Sequence, residues 1–211
     1  SFVLMFLQQW NIGSDMTDYD KWLSEPEYEA GKARGYVIPY RDIPYDDYKQ
    51  WYWNLNKEFN PVAFDPDQWA SVAREAGMKY VVFTTKHHDG FALFDTKYSD
   101  FSIAKGPFAS NPKADALKYV FEAFRKQNMM IGAYFSKPDW HSQDYWWSRY
   151  ATPNRHVNYK IDQHPQRWEK FTQFVHNQIG EITSNYGKVD ILWLDGGWVR
   201  SPEEDINMDA V

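Results

Sequence analysis

The 211-residue chain has no cysteine, which excludes disulfide cross-links, a thiolate nucleophile and a cysteine-held metal. It also has no run of about 18 apolar residues, and Ser1 to Leu7 is too short and lacks a basic flank, so neither a membrane span nor a signal peptide is read from it. Blocks of one charge sign are missing. The 29 acidic and 23 basic residues are interspersed and leave a net charge of -6, so the electrostatic footprint of a nucleic-acid binder is absent. Repeats and low-complexity tracts are absent as well. Aromatic residues, in contrast, are abundant at 19%, with 11 Trp and 15 Tyr, many of them in polar, loop-like stretches. Large rings are first of all core fillers. They also suit a sugar site, where a flat face meets C–H surface while a Trp N–H or Tyr O–H reaches a hydroxyl.

From Phe64 onward, strand-like apolar runs alternate with helix-like periodic stretches, the pattern of βαβ units and a parallel sheet. Asp65-Pro66 with Gln68 reads as an N-cap, a proline at the first helical position and a capping-box partner, with Gly77 closing that helix. Lys79 to Thr84 follows as a strand. A second helix is expected over Asp115 to Gln127, with Leu117, Val120, Phe121 and Phe124 on one face, and Met130 to Phe135 is the next strand. A third helix from about Pro165 to Ser184 buries Trp168, Phe171, Val175 and Ile179. Val189 to Leu194 is the last strand, apolar apart from Asp190, and its run is expected of a strand covered on both faces. Phe2 to Leu7 is the candidate first strand, and about 11–50 reads as an irregular insertion. Composition of 43% hydrophobic and 25% charged residues suits one globular domain over 1–211.

In parallel α/β proteins the reactive groups collect where strands end at their C-terminal edge. Here the strands end in Lys86-His87-His88-Asp89-Gly90-Phe91, in Ser136-Lys137-Pro138-Asp139-Trp140-His141 and in Asp195-Gly196-Gly197-Trp198. Asp195 directly follows Ile191-Leu192-Trp193-Leu194, so a rigid strand delivers its carboxylate to the rim, and Gly196-Gly197 is expected to keep the space beside it free of side chains. The bland alternative is an Asp that caps a helix or pairs with a neighbour. Consecutive histidines in a strand point to opposite sides, so His87 and His88 are expected to bind hydroxyls rather than chelate one metal together. His87, Asp89 and His141 form a conceivable metal set whose spacing is not diagnostic.

Trp51-Tyr52, the Lys86 to Phe91 run, Gly132-Ala133-Tyr134-Phe135-Ser136 with Asp139-Trp140, and Leu192-Trp193-Leu194-Asp195-Gly196 resemble the successive motifs of glycoside hydrolase family 29, the α-L-fucosidases. The resemblance spans about Gln50 to Trp198. It implies a (β/α)8 TIM barrel of which this chain covers roughly the first four strands, and a retaining hydrolase releasing terminal fucose from fucosylated glycans. Asp195 would be the nucleophile, and His87, His88, Trp51, Tyr134, Trp193 and Trp10 would bind the sugar. No cofactor or metal is implied. The family also implies a secreted, periplasmic or lysosomal setting. Between Tyr134 and Phe135 the residue that faces the ligand is left open.

Three departures from the pattern stand out. Gln9-Trp10 replaces a His-Trp pair, Gln50 stands where a Glu precedes the Trp-Tyr pair, and no later carboxyl can be assigned as acid/base because Glu203 and Glu204 follow too closely. These features keep two other readings alive: a glycan-binding barrel remnant without catalysis, and a metal-dependent hydrolase on the same fold. They also lead to the expectation that half a barrel needs further chain or self-association through an exposed edge to cover its interior.

Overall fold

The computed structural model describes residues 45–152 and 155–210. The expected first strand at 2–7, Trp10 and most of the stretch read as an insertion lie outside the described residues. One helix, α1 (Tyr45–Asn54), begins inside that stretch. It carries the Trp51-Tyr52 pair, with Tyr52 buried in the core and Trp51 half-buried against it.

Beyond α1 the elements alternate as the sequence pattern requires. They are α2 (Pro66–Glu75), β1 (Tyr80–Lys86), α3 (Ala116–Lys126), β2 (Met130–Ser136), α4 (Pro165–Asn185) and β3 (Ile191–Asp195). The start of α2 is fixed chemically: Asp65 Oδ1 accepts the Gln68 N–H at 3.1 Å, and Pro66 occupies the first turn, where a missing N–H costs nothing.

Among the described residues the three strands form one parallel sheet in the order β1-β2-β3. Thr84 lies opposite Tyr134, the register shifts so that Lys86 faces Phe135, and Ser136 lies opposite Asp195. Parallel pairing therefore puts all three C-terminal ends on one edge, the expected arrangement. Side chains alternate between faces along each strand. One face carries Phe83, Ile131, Ala133 and Phe135, all buried. Helix α3 lies against β1 and β2 and packs on α2. Its buried stripe contains Leu117, Val120, Phe121 and Phe124, and that of α4 contains Trp168, Phe171, Val175 and Ile179, as the periodicity anticipates. The opposite face carries Thr84, Tyr134 and Trp193, none of them buried. No helix among the described residues is long and apolar enough to cross a membrane.

Phe121 is fully buried whereas Val72 is 60% exposed. Phe121→Ala should therefore lower the unfolding free energy by about 3–5 kcal/mol through lost burial and a residual cavity, and Val72→Ala should change it by less than about 0.5 kcal/mol. Chemical denaturation of the two variants measures the contrast, and equal losses would contradict this core.

Candidate active site

The site begins where β1 stops. Lys86 is the last residue of that strand, and the chain then turns, with the Gly90 N–H donating to the His87 carbonyl at 3.0 Å. Gly90 has φ of +86°, and a Cβ there would lie 2.4 Å from Asp139 Oδ1, so both the backbone and the neighbouring carboxylate require glycine. Because the strand has ended, the alternation expected of His87 and His88 does not apply. Their ring centroids lie 4.5 Å apart on one side of the turn, which corrects the expectation that they diverge.

Asp195 closes β3. Its Oδ2 accepts the Tyr134 hydroxyl at 2.5 Å, and its Oδ1 accepts the Gly196 N–H at 2.7 Å. The register explains the first bond: Tyr134 and Ser136 share a face of β2, and Ser136 is the residue opposite Asp195. Tyr134 is thus the ring that faces the site. Phe135 is fully buried on the other face, under the Lys86 ammonium at 4.3 Å, which resolves the choice left open between them. Tyr134 also stacks on His87, with centroids 5.5 Å apart and planes within 6°. Trp193 lies two residues before Asp195 and opposite Tyr134, so it shares their face, and it is 58% exposed.

His88 is nearly buried, wedged between the rings of Trp140 at 5.2 Å and Trp198 at 5.1 Å. Its Nε2 is 3.8 Å from Asp195 Oδ2, too far for a hydrogen bond. Burial pulls the His88 pKa down to about 3, with the adjacent His87 acting in the same direction, and burial pulls His87 down to about 4 against the attraction of Asp195. Both imidazoles are therefore neutral at neutral pH, and the contact with Asp195 is not an ion pair. Burial pushes the Asp195 carboxyl upward, but the Tyr134 hydroxyl, the Gly196 N–H and the imidazoles outweigh it and leave the pKa below its usual value. What results is an ionised carboxylate with 42% of its side chain exposed, flanked by neutral ring nitrogens and a tyrosine hydroxyl.

Gly196 has φ of +84°, and a Cβ on it would lie 2.3 Å from Pro138 Cδ. The pair Gly196-Gly197 was expected to leave room beside the carboxylate. Only Gly197 meets open space, whereas Gly196 is clamped against the loop after β2. The conceivable metal set of His87, Asp89 and His141 is not assembled. Asp89 accepts from the Phe91 N–H at 2.9 Å and the Tyr52 hydroxyl at 3.0 Å, and His141 stacks on Phe101 at 4.0 Å. The group that could hold a cation is His87, His88 and Asp195, whose ligand atoms all lie within 4.8 Å of one another.

Glu204 is buried and fully engaged. Its Oε2 accepts the Tyr145 hydroxyl at 2.8 Å, and its Oε1 sits 2.7 Å from His156 Nδ1. Trp198 joins the same cluster, its Nε1 donating to the Tyr145 oxygen at 3.0 Å. Trp140 and Trp198, which wall His88, were not singled out from the sequence as site residues. Their placement follows from loops after two different strands, and no local spacing signals it.

An ionised carboxylate, two neutral imidazoles and a tyrosine hydroxyl thus lie together on the C-terminal rim of a parallel sheet, the edge where α/β proteins gather their functional groups. The chain belongs to the α-L-fucosidase family, whose family model matches residues 6–211. It is similar to α-L-fucosidase 1 of Arabidopsis thaliana, 28% identical over 138 residues that make up 65% of this chain and 23% of that protein. Among solved structures, α-L-fucosidase isoenzyme 1 from Paenibacillus thiaminolyticus shares 36% identity at a TM-score of 0.57, over 72% of this chain and 34% of that one. An α-L-fucosidase from Bacteroides thetaiotaomicron, trapped as a covalent intermediate with 2-fluoro-fucosyl fluoride, shares 28% identity at a TM-score of 0.61, over 79% and 33% of the two chains. The chain spans about a quarter of the length of the first curated relatives it matches.

The shifted groups act on stability with opposite signs. Below about 6.5 the unfolded chain takes up protons that folded His87 and His88, at about 4 and 3, refuse. Their stability contribution is therefore present above 6.5 and lost as the pH falls. Asp89, raised by burial to about 7, keeps a proton that the unfolded chain releases near 3.8, so its contribution is present at low pH and lost as the pH rises through about 7. Thermal midpoints measured from pH 4 to 6.5 should rise less steeply with pH in His88→Gln than in the parent protein, and more steeply in Asp89→Asn. Superimposable profiles for the three would contradict these assignments.

Proposed function

We propose that the protein is a retaining α-L-fucosidase acting on terminal fucose of fucosylated glycans, with Asp195 as the nucleophile. The observation that carries this reading is the environment of Asp195. Its carboxylate stays ionised, points from a strand end toward solvent, and takes hydrogen bonds from Tyr134 and Gly196 that hold it in one orientation. Such a group can attack an anomeric carbon without first losing a proton.

In this reading His87 and His88 bind fucose hydroxyls through neutral nitrogens, which can donate or accept. Tyr134 steadies the carboxylate and must release part of its hold as the glycosyl ester forms. Trp193, Trp51 and Trp10 supply flat apolar walls, suited to a sugar that carries a methyl group in place of a hydroxymethyl. The scaffold is a (β/α)8 barrel of which residues 1–211 form a portion of the catalytic domain. The similarity to fucosidases of which this chain matches only 23% and 29% of the length supports this. No cofactor is required, because a glycosyl ester forms with an acid and a nucleophile alone.

A retaining site needs a second carboxyl about 5–5.5 Å from the first. Glu204 does not serve, since both of its oxygens are committed within the Tyr145 and His156 cluster. The acid/base is therefore sought outside the described residues.

In the complete native protein, Asp195→Gly should reduce turnover of an aryl fucoside by roughly 10⁴-fold or more, while fucose still binds, because the carboxylate forms its bond only during reaction. Azide should restore part of the cleavage by filling the space of the lost nucleophile. Undiminished turnover in the variant without azide would end the assignment of Asp195.

A further inference from the structure

We infer that the pocket of His87, His88 and Asp195 is also a binding site for a late first-row divalent cation, copper or zinc, which enters in competition with the sugar. The cation would be an inhibitor and not a cofactor, since it sits on the lone pairs that Asp195 needs as a nucleophile. The competition rests on the sugar reading above, whereas the metal site rests on geometry alone.

Each of the three residues offers one ligand atom, and these atoms all lie within 4.8 Å of one another. His88 Nε2 and Asp195 Oδ2 are 3.8 Å apart. Tetrahedral bonds of about 2.1 Å put neighbouring donors about 3.4 Å apart, so closing on a cation requires side-chain movements of roughly an ångström or somewhat more. Both imidazoles lie beyond the end of β1, and the Asp195 side chain is 42% exposed, leaving an entry from solvent.

A second observation concerns His88 itself. Its Nδ1 is buried and has no hydrogen-bond partner among the described residues. The ring is held by packing between Trp140 and Trp198 and not by a hydrogen bond at that nitrogen, which leaves Nε2 as the atom offered toward Asp195. Histidines at tight metal sites normally donate their other N–H to a carboxylate or carbonyl. The lack of such a partner points to micromolar rather than tighter affinity. Arg155, whose guanidinium lies 4.6 Å from the Trp198 ring beside His88, adds positive charge and weakens binding further.

The donor set decides which cations bind. Two imidazole nitrogens and one carboxylate oxygen favour copper and zinc, whereas magnesium and calcium prefer all-oxygen shells. Three protein ligands leave a fourth position open to water.

Calorimetric titration of the complete, tag-free protein with zinc chloride should give one site. Binding should weaken at least tenfold in His88→Gln and in Asp195→Asn, stay unchanged in His164→Gln at the start of α4, and be absent with magnesium. A copper-loaded sample should show electron paramagnetic resonance couplings to two imidazole nitrogens, a readout that needs no variant. Saturating L-fucose should weaken zinc binding. Unchanged zinc affinity in both site variants, or a copper spectrum without the paired nitrogens, would overturn the site. Fucose affinity measured in chelator-treated buffer tests the sugar reading separately, so a protein that binds zinc here but not fucose would sink that reading and leave the metal site standing.

Discussion

The architecture of the site depends on one buried ion pair. Lys86 is wholly buried at the end of β1, and its ammonium lies 3.0 Å from Asp139 Oδ2 and donates to Gln178 Oε1 of α4 at 3.0 Å. Burial lowers the Lys86 pKa and Asp139 opposes that shift, so the charge is tenable only while its partner stays in place. Breaking such a pair strands a charge in the interior, at a cost of about 3–5 kcal/mol. Asp139 has further duties. Its Oδ1 accepts the N–H groups of His141 and Ser142, and the following Trp140 N–H donates to the His88 carbonyl at 2.8 Å. The end of β1 that leads into the histidine pair, the loop after β2 and α4 are therefore tied at one point.

The same helix extends this polar seam. Gln178 also reaches Thr96, and the Thr96 hydroxyl donates to Glu181 Oε2 at 2.7 Å. Gln178 and Glu181 sit on the face of α4 that buries Val175, Ile179 and Ile182, so the helix docks in only one rotation. An apolar stripe alone would tolerate a slip; a stripe interrupted by two matched polar groups does not.

What the sequence revealed, and what it hid, follows from the range of each interaction. The helices and strands were legible because burial on one face imposes a period that survives in a single segment, as in Leu117, Val120, Phe121 and Phe124. The strand-end motifs were legible because parallel topology gathers strand termini. The facing of Tyr134 over Phe135 was not, since alternation gives two faces without saying which one is the site until β3 supplies Asp195 opposite Ser136. The divergence expected of His87 and His88 failed because it extended strand geometry past the residue where the strand stops. Lys86, Gln178 and Glu181 carried no local sign of their pairing, which joins residues 92 positions apart in the case of Lys86 and Gln178. Among the described residues many of the abundant aromatics fill the core: Phe94, Phe108, Phe121 and Phe171 are fully buried, and Tyr145 is fully buried beside Phe171.

The two glycines after Asp195 differ in a way that matters for redesign. Gly196 is closed to variation, because any side chain there would drive into Pro138 while forcing a left-handed backbone on a residue with a Cβ. Its neighbour Gly197 meets nothing within 4 Å. A library spread evenly over this motif would lose every member altered at the first position and keep those altered at the second. Position 197 is thus a place beside the carboxylate where new side chains can be appended without disturbing the strand that presents Asp195.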